Sequence, residues 1–165
     1  HRGRSRCGCR CRSRGLVFRV IISIDFETYS ESDIRSAGAY AYADHPSTEV
    51  ICLAWRVNEE PPELWLWGDP LPIQLFNYIE KGAEIWAWNS FFEMCIWNLV
   101  LDWPRIPFGQ WNDTAALSSV QAYPRALGNC GAFLGLEGDQ AKDKRGKLLI
   151  QRLCKPQKVR AKRAK

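Results

Sequence analysis

Hydrophobic positions along this chain fall into short runs separated by polar and proline-containing stretches, the pattern of alternating strands and helices. The first run, 17–29 (VFRVIISIDFETY), is dense in β-branched and aromatic residues and holds no Gly or Pro, so it predicts a strand buried on both faces. Residues 30–36 are polar, and 38–43 carry alternating aromatics before the turn signal Asp44-His-Pro-Ser47. Glu49 to Val57 predicts a second strand and Glu63 to Trp67 a short third, which gives an antiparallel meander of three. Gly68-Asp-Pro70 opens a helix through Lys81, with Leu71, Leu75, Tyr78 and Ile79 near helical spacing and Gly82 as its stop. Glu84 to Trp88 predicts a fourth strand, and Asn89 to Val100 an amphipathic helix with Phe92, Cys95, Ile96 and Leu99 as its apolar stripe. Trp111 to Thr114 predicts a fifth strand, followed by helices over 115–122 and about 125–134, a charged loop over 135–147 and a short helical turn over 148–154.

Candidate chemistry sits at the ends of these elements. Side chains alternate along a strand, so Asp25 and Glu27 lie on one face at the end of the first strand. Two carboxylates held close repel and raise one another's pKa unless a cation lies between them, and hard oxygen donors suit Mg²⁺ or Mn²⁺. A strand that ends in a polar turn, with both acids solvated, explains the same triplet. Glu93 borders the apolar stripe of its helix and has two explanations as well. Ser90-x-x-Glu93 is a capping-box pattern, and a helix that starts after a central strand delivers its first-turn carboxylate towards Asp25 and Glu27; neither role excludes the other. Asp113 or Thr114 caps the helix that follows; Asp113 is also the nearby candidate for a fourth carboxylate, though the cap is its expected role.

Charge divides the 165 residues into three parts. Residues 1–19 carry seven Arg and no acid, residues 20–141 carry five basic residues against seventeen acidic ones, and residues 142–165 carry eleven basic residues and one acid. Basic ends hold phosphates or are solvated tails. The expected organisation is a basic Arg/Cys-rich tail over 1–15, a folded domain over 16–156 and a basic disordered tail over 157–165. Cys52, Cys95, Cys130 and Cys154 lie in apolar surroundings and read as free thiols of a reducing compartment. The C-x-C-x-C run from Cys7 to Cys11 does not match zinc-ligand spacing. The opening residues lack the apolar region of a signal peptide, and no run is long enough to span a membrane, so the expectation is a soluble protein of the cytoplasm without a membrane partner.

The blocks IDFETYS (24–30), WNSFFE (88–93), DTAAL (113–117) and KDKRGKLLIQRLCKP (142–156) carry a resemblance to the 3′–5′ proofreading exonuclease domain of phage- and prophage-type family A DNA polymerases, within the DEDD exonuclease superfamily. The resemblance implies an α/β, ribonuclease H-like mixed sheet, three antiparallel strands followed by alternating helices and strands. It also implies hydrolysis of the 3′-terminal phosphodiester by two Mg²⁺ or Mn²⁺ ions, with a single-stranded DNA 3′ end as substrate and a polymerase domain as partner. Carried over by position, Asp25, Glu27 and Glu93 are the catalytic and metal-binding acids. Thr28, Asn89 and Phe92 are the substrate-binding positions. The family's third motif, a Tyr or His followed by an Asp beyond the C-K-P segment, has no match, because no acid follows Asp143. The expectation is therefore a C-terminally truncated domain with feeble activity. A non-catalytic nucleic-acid-binding or polymerase-associated module is the alternative, and a ribonuclease H-like nuclease acting on RNA a third.

Overall fold

The computed structural model describes residues 19–136, together with residues 146, 149, 152–154 and 156. The Arg/Cys-rich tail expected over 1–15 and the basic tail over 157–165 lie outside the described residues, as does most of the charged loop after Leu136.

Five strands form one mixed sheet: β1 (Ile21–Tyr29), β2 (Glu49–Val57), β3 (Glu63–Leu66), β4 (Glu84–Ala87) and β5 (Trp111–Asp113). Their order across the sheet is β3-β2-β1-β4-β5, with β1 central. The meander expected from the pattern is present, since β1 pairs antiparallel with β2 and β2 with β3. The crossovers then make β4 parallel to β1 and β5 parallel to β4. This mixed α/β architecture is compatible with a ribonuclease H-like fold.

The helices are α1 (Ile34–Ala43), α2 (Ile73–Glu80), α3 (Ser90–Leu99), α4 (Thr114–Val120) and α5 (Leu127–Phe133). The pattern of hydrophobic positions assigns no element to the stretch that forms α1. Asp33 starts the helix by accepting the Arg35 N–H at 3.0 Å, and Gly38 kinks it at φ 80°. A helix turns 100° per residue, so Tyr40 and Tyr42 fall on nearly opposite sides, whereas a strand would put both on one face. Tyr42 is buried and Tyr40 exposed. The element order therefore begins β-α-β-β, not β-β-β. α2 starts at Ile73 behind Pro72, three residues later than its turn signal suggests. Of the helical turn expected over 148–154, Leu149, Arg152 and Leu153 are described and helical, as is Gly146.

The core fixes α3 against β1. Ile22, Ile24 and Phe26 bury one face of β1, and Trp97 of α3 meets the Phe26 ring edge-on with centroids 6.2 Å apart. Trp97 also stacks edge-to-face with Trp103 at 4.9 Å and donates its indole N–H to the Pro104 carbonyl at 2.9 Å. Such a ring, apolar with one satisfied donor, is a strong anchor for a helix. The stripe on α3 is displaced from the one its sequence suggests: Glu93, Cys95, Ile96 and Trp97 are buried, while Leu99 is exposed. Glu93 is thereby carried into the interior.

Candidate functional site

β1 and β4 pair only from Ile21–Ser23 against Glu84–Trp86. Past that point the two strands part, and α3 begins in the gap. The Phe26 N–H, on the β4 side of β1, has lost its strand neighbour there. Glu93 Oε2 accepts it at 3.1 Å. The capping-box alternative for Glu93 is not realised. The N-cap is Asn89, in the left-handed region at φ 67° with no side-chain cap hydrogen bond, and the Glu93 carboxylate reaches to another element.

Glu93 is 3% exposed. Its pKa is pushed up to about 9, first by burial, then by the charge on Asp25 and, less strongly, by Glu27; the Phe26 N–H opposes the rise. A carboxylate in this position is costly as an anion and relieved by a cation. A glutamine would satisfy the same N–H without that cost. Asp25 is exposed and Glu27 partly so, both on the face of β1 opposite Phe26. Asp25 pairs across the sheet with Ala54 and Glu27 with Cys52. Next to Glu27 the ladder slips: Thr28 faces Val50, so Ile51 is an extra residue on β2. Bulges of this kind re-aim side chains beside them.

Beside Glu27 opens a cavity of about 370 Å³. Phe26, Thr28, Tyr42 and Phe92 form part of its wall, and Cys154 and Pro156 approach it from the far end of the chain. Thr28 is buried and shares a hydrogen bond with the Tyr42 hydroxyl at 2.9 Å. The Tyr42 and Phe92 rings lie 5.9 Å apart and tilted. Burial raises the Tyr42 phenol pKa, against the lowering effect of Thr28. The Cys154 thiol donates to Glu27 Oε2 at 3.7 Å.

The six positions singled out in the sequence therefore divide. Asp25, Glu27 and Glu93 are near enough for the first two to act on the third. Glu27, Thr28 and Phe92 line the cavity. Asn89 is exposed and does not line it; its backbone N–H goes to Asp113 Oδ1 at 3.3 Å. Asp113 caps α4 as the sequence suggests, accepting the Ala115 and Ala116 N–H groups at 2.8 and 3.0 Å. Tyr42 and Cys154 are among the cavity residues outside the six site positions. Cys154 stands inside the C-K-P segment, where its apolar neighbours suggest only a buried thiol.

Among the described residues, no three His, Cys, Asp or Glu side chains form a group that could hold a metal ion. The fit to a hard divalent ion accordingly rests on donor chemistry alone: three acidic side chains, one of them a buried carboxylate destabilised by its neighbours. Asp25, Glu27 and Glu93 are the residues that would hold it. No helix among the described residues is long and apolar enough to cross a membrane.

The sequence is 33% identical over 154 residues to a DNA polymerase of Bacillus phage SP02, an alignment that takes in 87% of this chain and 23% of that polymerase. The chain thus spans less than a quarter of that relative's length. No protein-family model matches it. This similarity supports a polymerase-related origin for the chain.

Proposed function

We propose that the chain carries the 3′–5′ exonuclease site of a DNA polymerase, acting on a single-stranded DNA 3′ end and releasing nucleoside monophosphates. The observation that carries this reading is Glu93: buried, bonded to the backbone of the central strand, and pushed up to about 9 by burial and by Asp25 and Glu27. A structural acid has no need of two further acids beside it. Bound Mg²⁺ or Mn²⁺ would supply charge neutralisation and an activated water. The protein's own part would be to offer the three neighbouring carboxylates to the ion and to seat the terminal nucleotide. Thr28 and Phe92, on the wall of the cavity next to Glu27, are placed to contact that nucleotide. The similarity to a phage DNA polymerase supports DNA as the substrate and a polymerase domain as the partner.

The test is release of nucleoside monophosphates from an end-labelled oligonucleotide in Mn²⁺ or Mg²⁺. No carboxylate follows Asp143, so digestion by these 165 residues alone is expected to be slow. Appending a segment with a Tyr-x-x-x-Asp motif should accelerate it, and Asp25→Ala should then abolish it. Digestion indifferent to Asp25→Ala would assign the chemistry elsewhere.

A second reading, a non-catalytic polymerase-associated module that binds nucleic acid, is favoured by one observation: the three acids do not close into a ligand group among the described residues. Metal-independent oligonucleotide binding without any digestion, with or without the appended motif, would support it.

A further inference from the structure

We propose that Tyr42 is a positioning residue for a nucleotide in the cavity: its hydroxyl aims that of Thr28 into the space, and its ring backs Phe92. This rests on the exonuclease reading for the identity of the ligand, though not for the geometry.

Tyr42 touches both of the residues placed to contact a nucleotide. Its hydroxyl lies 2.9 Å from Thr28 Oγ1, and its ring centroid lies 5.9 Å from that of Phe92. The two hydroxyls hold two protons between them, and their mutual bond uses one. The phenol is the more acidic of the pair and so the better donor. Burial raises its pKa, so the proton stays on the phenol at neutral pH and above. Thr28 then accepts from Tyr42 and keeps its own proton, for which the described residues provide no other acceptor. A buried donor without a partner is costly, and a sugar or phosphate oxygen in the cavity that Thr28 lines would relieve that cost.

Tyr42 is itself held from behind. It is buried in the last turn of α1, and its carbonyl accepts the Thr48 hydroxyl. Thr48 in turn meets the hydroxyl of Ser30, another cavity residue, at 2.8 Å. Thr28, Ser30, Tyr42 and Thr48 are all buried, so bonded hydroxyls from β1, α1 and the approach to β2 form one side of the cavity. Groups fixed in this way lose little freedom when a ligand binds.

The probe is deoxythymidine monophosphate with Mn²⁺ present, titrated onto the full 165-residue chain and followed by NMR. Tyr42→Phe keeps the ring and removes the hydroxyl, and should weaken binding about fivefold, as should Thr28→Val. The double variant should also lose only about fivefold, because both changes remove one arrangement. Thr28→Ser, which keeps a hydroxyl, should stay within about twofold of the unaltered chain. Thermal melts by circular dichroism confirm that each variant is folded at the titration temperature. A merely structural Tyr42 would lower the melting temperature and leave the affinity of the folded chain alone. Affinity within about twofold in Tyr42→Phe overturns the proposal, as does a double variant about twenty-five-fold weaker, the product of two independent losses. If the unaltered chain binds no nucleotide the proposal also fails, while digestion abolished by Asp25→Ala would leave the exonuclease reading standing. Digestion indifferent to Asp25→Ala, with the Tyr42–Thr28 coupling intact, would sink that reading alone.

Discussion

Two acids stand near the starts of neighbouring helices in this molecule, each just past a parallel strand, and they do opposite things. Asp113 ends β5 and turns its carboxylate onto its own helix, where Ala115 and Ala116 donate to it, with Asn89 as a third donor. Glu93, in the first turn of α3, leaves its helix uncapped and crosses to β1. The first acid is explained entirely by the unpaired N–H groups of a helix end. The second is buried among other acids, and the needs of its helix do not explain it. An acid that local backbone chemistry accounts for is structural; one placed against like charges at a cost in stability is a candidate for function.

Substitutions at the two sites should separate sharply. The largest effect is expected at the acid pair that Glu93 faces. With a third motif appended, Asp25→Ala should lower nucleoside monophosphate release about a hundredfold or more, the scale of losing a group that stabilises developing charge. Asp113→Ala, assayed per folded molecule, should cost less than tenfold. Equal losses in the two variants would erase the distinction drawn between them.

Stability should move in opposite directions. The pKa of Glu93 is raised on folding, from its ordinary value near 4.5 to about 9. Below about 4.5 both folded and unfolded chains hold the proton, and there is no penalty. Between the two values the unfolded chain has released the proton that the folded one keeps, so stability falls as pH rises through this window. Above about 9 the loss is complete. Glu93→Gln keeps an acceptor for the Phe26 N–H and removes the titration. It should therefore stabilise the protein by about 2 kcal/mol at pH 7 and flatten the fall of Tm from pH 5 to 9. Mn²⁺ should raise the Tm of the unaltered protein more at pH 8 than at pH 5, and raise that of Glu93→Gln less. Thermal unfolding followed by circular dichroism reads all of these. A variant less stable than the unaltered chain at pH 8 would mean that the charge on Glu93 is stabilising after all.

Asp113→Ala should instead destabilise by about 1 kcal/mol at neutral pH, the usual cost of losing a helix cap. The same melting experiment measures it. No loss would show that the Ala115 and Ala116 N–H groups find water as good a partner.

The contrast between the acids was only partly legible in the sequence. Asp113 was: an Asp immediately before a helix pattern has a local meaning, and local meaning is what sequence carries best. The strands were legible for the same reason, and the i, i+2 spacing placed Asp25 and Glu27 on one face. For Glu93 the sequence offered two compatible roles, and which of them is realised depends on where β1 and β4 part, a fact about two segments some sixty residues apart. The slip at Ile51 was hidden because Val50, Ile51, Cys52 and Leu53 are all apolar and show no break in alternation. α1 was missed because tyrosines two residues apart suggest the alternation of a strand rather than helical spacing, and Gly38 interrupts the helical pattern. Cys154 was the hardest to see. Nothing local to it distinguishes a buried thiol from one that reaches Glu27.

The finest test of the comparison is Asn89, which touches both acids' regions: it precedes the helix of Glu93 and donates its backbone N–H to Asp113. Its φ of 67° and ψ of 55° lie in the left-handed region, which Asn tolerates and Gly adopts without penalty. Its side chain caps nothing and is exposed. Asn89→Gly should thus leave stability within about 0.5 kcal/mol, whereas Asn89→Ala should lose about 1 kcal/mol to backbone strain. If Asn89 serves only the turn into α3, the glycine variant should match the unaltered chain in oligonucleotide affinity with Mn²⁺ present. If its side chain contacts the terminal nucleotide, the glycine variant should bind several-fold more weakly while melting at the same temperature. A drop in melting temperature for the glycine variant would instead show that the Asn side chain supports the turn itself.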